Sequence, residues 1–146
     1  MDIPASEFAE YAESVVELAA DGPYSAPLRA SGELLRDSYD INFAESRQAS
    51  GPAWRPRKDP IPQHPLLILS GVLRSAATTE GATGNISEVG THEAAFGVSR
   101  DEIPYARRQQ YGDNPEGIRA RPYIGVTNET LDQCGELIAT YAIDLF

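Results

Sequence analysis

Residues 51–65 (GPAWRPRKDPIPQHP) constrain the fold more than any other part of the chain, because they hold five prolines. Each proline fixes its own φ and removes a backbone N–H, so this density excludes both a helix and a central strand. The stretch reads as a loop or extended arm at about residues 50–65, too long for an ordinary tight connection. It divides the chain into a helical front and a mixed back. Trp54, the only tryptophan, lies within it. A ring in such an arm anchors into a groove, of its own domain or of a neighbour.

In front of the arm, Phe8, Ala12, Val15, Val16 and Ala19 fall at helical spacing, with Pro4 before them and Asp21-Gly22-Pro23 after. This predicts a first helix. A second follows: Leu28, Leu35, Tyr39 and Phe43 share one face with Gly32, and Gly51-Pro52 is expected to stop it. Gly32 costs that helix about 1 kcal/mol relative to alanine and permits close packing. Behind the arm, Leu69, Val72, Leu73 and Ala76 are helically spaced, with Ser70 as expected N-cap. Residues 77–98 favour strands, with GATG at 81–84 as a hairpin turn between an earlier strand and the next. YARRQQYG (105–112) reads as a short helix ended by Gly112, DNPEG as a turn-rich loop, and RPYIGV (121–126) as a strand. Finally Leu131, Cys134, Ile138, Tyr141 and Leu145 form one apolar stripe of a C-terminal helix capped by Thr127 or Asn128. Cys134 on that stripe reads as a small apolar residue rather than a nucleophile. The expected fold is α+β: a small, mainly antiparallel sheet with N-terminal helices and a C-terminal amphipathic helix packed on it.

The chain's 146 residues make one domain, 1–146, large enough to bury a core without metals or disulfides. With 22 Asp plus Glu against 12 Lys plus Arg, the net charge is −10. Tight binding along a nucleic-acid backbone needs clustered cations, so this balance argues against it. An acidic surface does suit the wall of a channel through which DNA passes without sticking. A single cysteine allows no intrachain disulfide. The acidic start has no apolar h-region, so no signal peptide is expected, and no apolar run is long enough to span a bilayer.

Enzyme motifs are missing. His64 and His92 are the only histidines, and neither has a second His or Cys at metal-ligand spacing. Ser70 lacks the glycine two positions earlier that a nucleophile elbow requires, and GATGN lacks the lysine of a P-loop. No catalytic, cofactor or metal residue is assigned. A small acidic hydrolase using His64 or His92 is the alternative from a different class. A free regulatory protein binding a basic partner is another.

One segment runs against the acidic background. Residues 103–126 gather Arg107, Arg108, Arg119 and Arg121 among Tyr105, Tyr111 and Tyr123. Tyrosine and arginine are enriched where protein surfaces meet. Trp54, Arg108, Gln109, Tyr111, Arg121 and Tyr123 are therefore the candidate interface residues. The equally weighted structural reading has Arg121 satisfying carbonyls or a carboxylate and Tyr123 filling the core.

Several blocks in this order resemble the phage virion morphogenesis family of the Mu type, whose members are tail-completion proteins. Asn42-Phe43 and GPAWRP at 51–56 look like the family's helix with an Asn-Phe pair followed by a Pro-Trp step. ILSGVLRSA at 68–76 looks like its Leu-x-x-(Thr/Ser)-Gly-x-Leu-Arg block. YARRQQYG and IRARPYIG are similar to its Tyr-Ala-x-x-His-Gln-Phe-Gly helix and Pro-Ala-Arg-Pro-Phe-Leu-Gly strand. The likeness covers roughly residues 40–146. Gln109 stands where the family commonly has histidine, Tyr111 and Tyr123 where it has phenylalanine, and Arg119 where it has proline. The resemblance implies a non-enzymatic virion component of the neck or tail end, made in the host cytoplasm, without cofactor. It would complete or cap the tail tube as a homo-oligomeric ring, often six-fold. Its partners would be the tail tube protein and head-closure or connector proteins, with DNA passing through the lumen. A head-closure or head–tail connector protein is the alternative within that class.

Overall fold

The computed structural model describes residues 24–59 and 64–145. The first expected helix, around Phe8 to Ala19, lies outside the described residues. The elements in chain order are α1 (Ser25–Glu45), α2 (Val72–Thr78), β1 (Asn85–Val89), β2 (Ala94–Val98), α3 (Ala106–Tyr111) and α4 (Asn128–Leu145). The fold is α+β, with a two-stranded antiparallel sheet and a C-terminal helix.

α1 is the spine. Gly32, Tyr39 and Phe43 from the expected stripe are buried along it, joined by Arg36, Ser38 and Asn42. The helix stops at Glu45, before Gly51-Pro52. Ser46 turns left-handed (φ 51°), its N–H reaches the Phe43 carbonyl (3.4 Å), and the Arg47 N–H reaches that of Asn42 (3.2 Å). This Schellman pairing satisfies the last carbonyls with a serine where glycine is usual, so no glycine or proline announced the stop.

The β-hairpin pairs Asn85 with Val98 and Val89 with Ala94. Its turn is residues 90–93, where the Gly90 N–H meets the Glu93 carbonyl at 2.7 Å. GATG at 81–84 instead joins α2 to β1, and no earlier strand precedes it among the described residues. Gly84 is left-handed (φ 81°), and a Cβ there would fall 2.7 Å from the Ile103 side chain. The hairpin rests on α1. The Phe96 ring occupies the space that a methyl group on Gly32 would need, and the Arg36 guanidinium lies 5.6 Å from that ring's centre. Arg36 also donates to the Ser87 hydroxyl (3.1 Å) and pairs with Glu80 (3.6 Å). A guanidinium is therefore buried within the helix face that the apolar pattern assigned to hydrophobes.

α2 begins with Gly71 in a left-handed conformation (φ 80°) and no side-chain cap. The Val72 N–H to Ser70 Oγ distance is 3.5 Å, so the expected Ser70 cap is not made. Leu73, Ala76 and Ala77 are buried, whereas Leu69 and Val72 face outward.

The core gathers Phe43, Trp54, Leu73, Ala76, Ala77, Ile103, Ala106 and Tyr123. Its centre is aromatic: Phe43 meets Trp54 edge to face at 5.9 Å and Tyr123 at 5.4 Å. Aromatic pairs at this spacing add about 1 kcal/mol each to the burial of their surfaces. α4 packs along α1, with Cys134, Ile138 and Tyr141 half-buried in the seam; Leu131, at the start of the expected stripe, is half exposed. The Thr127 hydroxyl accepts from the Thr130 N–H (3.1 Å), which is the expected cap. The long helix, more than the sheet, is what α4 leans on.

Candidate functional site

The candidate residues lie where three irregular pieces meet α3: the arm after α1, the 113–117 loop and residues 118–127. The last of these was expected to contain a strand. Among the described residues it joins no strand: Ile118 makes one isolated bridge to Asp113, and from Pro122 to Gly125 side chains hold the backbone. The Gln110 amide oxygen accepts from the N–H groups of both Tyr123 and Ile124 (2.9 Å each), and its Nε2 donates to the Ile124 carbonyl (3.0 Å). Asn42, buried on α1, donates Nδ2 to the carbonyls of Tyr123 (2.9 Å) and Gly125 (3.0 Å). The Trp54 indole N–H donates to the Pro122 carbonyl (2.9 Å). Alternation along 121–126 predicts a strand, and the structure differs because side-chain clamps of this kind leave no periodic signal.

Gly112 ends α3, its N–H on the Arg108 carbonyl (2.7 Å) and its φ at 77°. A Cβ at this position would come 2.9 Å from the Ala120 nitrogen, so glycine lets the helix end press against the following segment. The short helix and its stop match expectation. The Arg121 N–H then reaches the Gln109 carbonyl at 2.7 Å, continuing the contact.

The six candidate residues divide into three pairs. Trp54 and Tyr123 are core side chains, 5% and 2% exposed, so their rings have almost no surface to offer a neighbour. Tyr123 also donates its hydroxyl to the Ala106 carbonyl (3.1 Å). Burial first, and then repulsion from the phenolate charges of Tyr111 and Tyr105, holds its ionisation well above the ordinary tyrosine range. Arg121 and Gln109 are half-buried. Arg121 donates to the carbonyls of Arg55 (3.1 Å) and Pro56 (3.4 Å), which ties the arm to the 118–121 segment as the structural reading of that residue anticipated. Its pKa is lowered, first by burial and then by the nearby charges of Arg57 and Arg119. Arg108 and Tyr111 are exposed. Arg108 pairs with Asp113 at 3.4 Å, and the neighbouring Arg107 guanidinium lies 6.0 Å from the Tyr111 ring centre.

Gln110 and Asn42 are the residues that sequence reasoning missed as determinants of the site. In the sequence Asn42 stands out only within the Asn-Phe pair, and Gln110 looks no different from its neighbour Gln109. A polar side chain beside an apolar stripe was the one available signal.

Besides a cavity of about 580 Å³ against Arg107, Arg108 and Tyr111, two others border the site. One, of about 390 Å³, is lined by His64, Ser70, Tyr105 and Gln109 among others. There the His64 Nδ1 lies 2.8 Å from the Arg57 guanidinium, where a serine–histidine pair would have a carboxylate. His92 is exposed, with its ring 6.0 Å from that of Tyr24. The other cavity, of about 310 Å³, is a cleft between the arm and the 117–121 segment. Arg57, Lys58, Arg119 and Arg121 gather there beside Asp59. Lys58 donates to the Gly117 carbonyl (2.9 Å), and Arg119 donates to that of Pro56 (3.3 Å). Among the described residues no three His, Cys, Asp or Glu side chains are grouped to hold a metal ion, and no helix is long and apolar enough to cross a membrane.

No family model matches the chain, and neither the curated proteins nor the solved structures contain a match.

Proposed function

We propose that the chain is a structural, non-enzymatic phage virion protein of the tail-completion class, acting at the neck or tail end as a homo-oligomeric ring. The observation that carries this reading is where the resembling blocks fall. Asn42-Phe43, Trp54, the Leu73-to-Ala76 helix, Ala106 and Gln110 in the short helix, and Tyr123 all meet at one aromatic centre and its polar clamps. Residues that carry a family resemblance and also build one core describe a shared fold more strongly than the same residues scattered over the surface. The departures fit this geometry. The hydroxyl that Tyr123 adds to a phenylalanine has a carbonyl partner, and Gln109 lies where a neutral polar side chain is tolerated, half-buried at a cavity wall.

The ring reading draws on the exposed Arg107, Arg108 and Tyr111 patch and on the acidic balance of the chain, which suits a lumen that DNA traverses. A head-closure or head–tail connector protein is the second reading within the class. The tail tube protein and the head-closure proteins are the proposed partners, and the assembled virion is the proposed location.

Immunogold labelling of purified particles tests the proposal. Label confined to the head–tail junction is the expected result. Particles without label, while the protein is present free in the lysate, would contradict it and favour a free regulatory protein.

A further inference from the structure

Charge is sorted in this molecule. On one side, α1 and α4 leave an open groove of about 810 Å³ between them, with Leu34, Leu137 and Tyr141 on its walls. Glu33, Asp37, Glu136 and Asp144 line it, and among the described residues no basic one does. α4 carries no lysine or arginine along its whole length. Elsewhere on the molecule is the cationic cleft of Arg57, Lys58, Arg119 and Arg121. The groove uses the N-terminal half of α1, and the cleft is built on the arm that leaves the helix's C-terminal end. The two share no residue.

We propose that the acidic α1–α4 groove of one copy receives the cationic cleft of the next, so that copies associate head to tail. The choice of a second copy as occupant rests on the ring reading; the choice of surfaces rests on the placement of charge. A copy of this chain is the partner whose complementary surface is already present. The chain's net charge of −10 opposes association of copies in general, so contact is favoured only where the few cations are concentrated against acids. Joining two different patches on the same subunit is a heterologous contact, which closes into a ring or grows into a filament. The apolar walls supply surface to bury, and the charged rim sets partner and orientation.

The test is a charge-reversal exchange in the full chain, read by sedimentation velocity at low salt. One variant carries Lys58→Glu with Arg119→Glu; a second carries Glu33→Arg, Asp37→Arg and Glu136→Arg, which leaves Asp144 as the one acid of the groove lining. Arg121 is left alone because it braces the arm through two carbonyls; Lys58 and Arg119 hold one carbonyl each, so the melting temperature of the first variant is read beside its association. Each variant alone is expected to lose association by at least about tenfold relative to the unaltered chain, since every contact then sets like charges together. An equimolar mixture of the two is expected to regain it, because each cleft then finds a groove of opposite charge on the other variant. In that mixture the reversed, acidic cleft faces the reversed, basic groove, and the native cleft faces the native groove. Added salt is expected to weaken the unaltered assembly.

Failure of the mixture to recover, or association unchanged by either reversal, overturns the proposal. An unaltered chain that stays monomeric at low salt and high concentration overturns it as well. Association unchanged by the groove reversals together with a lowered melting temperature would give the groove to another segment of the same chain. A ring that forms but ignores the reversals sinks this assignment of surfaces and leaves the tail-completion reading standing; loss of the particle label sinks that reading instead.

Discussion

Gln110 holds the segment after α3 through three hydrogen bonds, all to backbone groups of Tyr123 and Ile124. Removing a partner from part-buried N–H groups costs about 1–3 kcal/mol, more than a typical hydrogen bond contributes net. Gln110→Ala is expected to lower the unfolding free energy by about 2 kcal/mol in urea titration, with the loss of Tyr123 burial visible in fluorescence. Gln110→Glu keeps the acceptor and loses the donor, so its loss should be smaller. Tyr123 gives a second prediction. Its folded pKa is raised above the unfolded value of 10.0, mainly by burial. The neutral form is the one the fold favours, so this contribution is complete below pH 10 and falls away as the pH rises above it. Tyr39 is shifted in the same direction by burial and by Cys134, and adds to the slope. Thermal melts should therefore decline above pH 10, and Tyr123→Phe should decline less steeply, at a cost of about 1 kcal/mol at neutral pH for the lost bond to Ala106. At this scale the sequence was half legible. Phe43 and Tyr39 declared themselves by spacing, whereas Gln110, Asn42 and Arg36 act through partners 13 to 83 positions away that no local pattern encodes.

At the scale of elements, regular structure was legible where one apolar face repeats. The body of α1, the short α3 and the capped α4 follow from period and punctuation. The end of α1 did not, because a serine takes the left-handed position that glycine would have marked. The 121–126 segment did not, because its backbone bonds go to side chains of α1 and α3 rather than to a strand. Gly32 was read as a close-packing residue, and the hairpin shows what it packs against. Gly32→Ala gains about 1 kcal/mol of helix propensity. It also drives a methyl group into the Phe96 ring, which is confined by Arg36 on one side and by the Tyr39 hydroxyl bonded to its own carbonyl (3.3 Å). Overpacking of this kind costs about 1–3 kcal/mol, so net destabilisation is expected. Pairing Gly32→Ala with Phe96→Leu should recover part of it, and denaturant midpoints of the single and double variants check the claim.

For the whole molecule, the proline-rich arm sets the architecture. It carries Trp54 back under α1, where the ring joins Phe43 and Tyr123, and its carbonyls are then held by Arg119 and Arg121. The arm is thus an internal strap as far as its tryptophan is concerned, and its exposed cations lie beyond that anchor. The separation of those cations from the acidic helix pair is a property of the folded chain. Sequence order conceals it, because residues 55–58 and 119–121 come together only across the core.

The tail-completion reading is tested most directly by electron microscopy of lysates from a phage deleted for this gene. Overlong or ragged tails, or filled heads beside unattached tails, are expected, with joined particles restored when the chain is supplied in trans. Intact, joined and infectious particles from the deletion would contradict it.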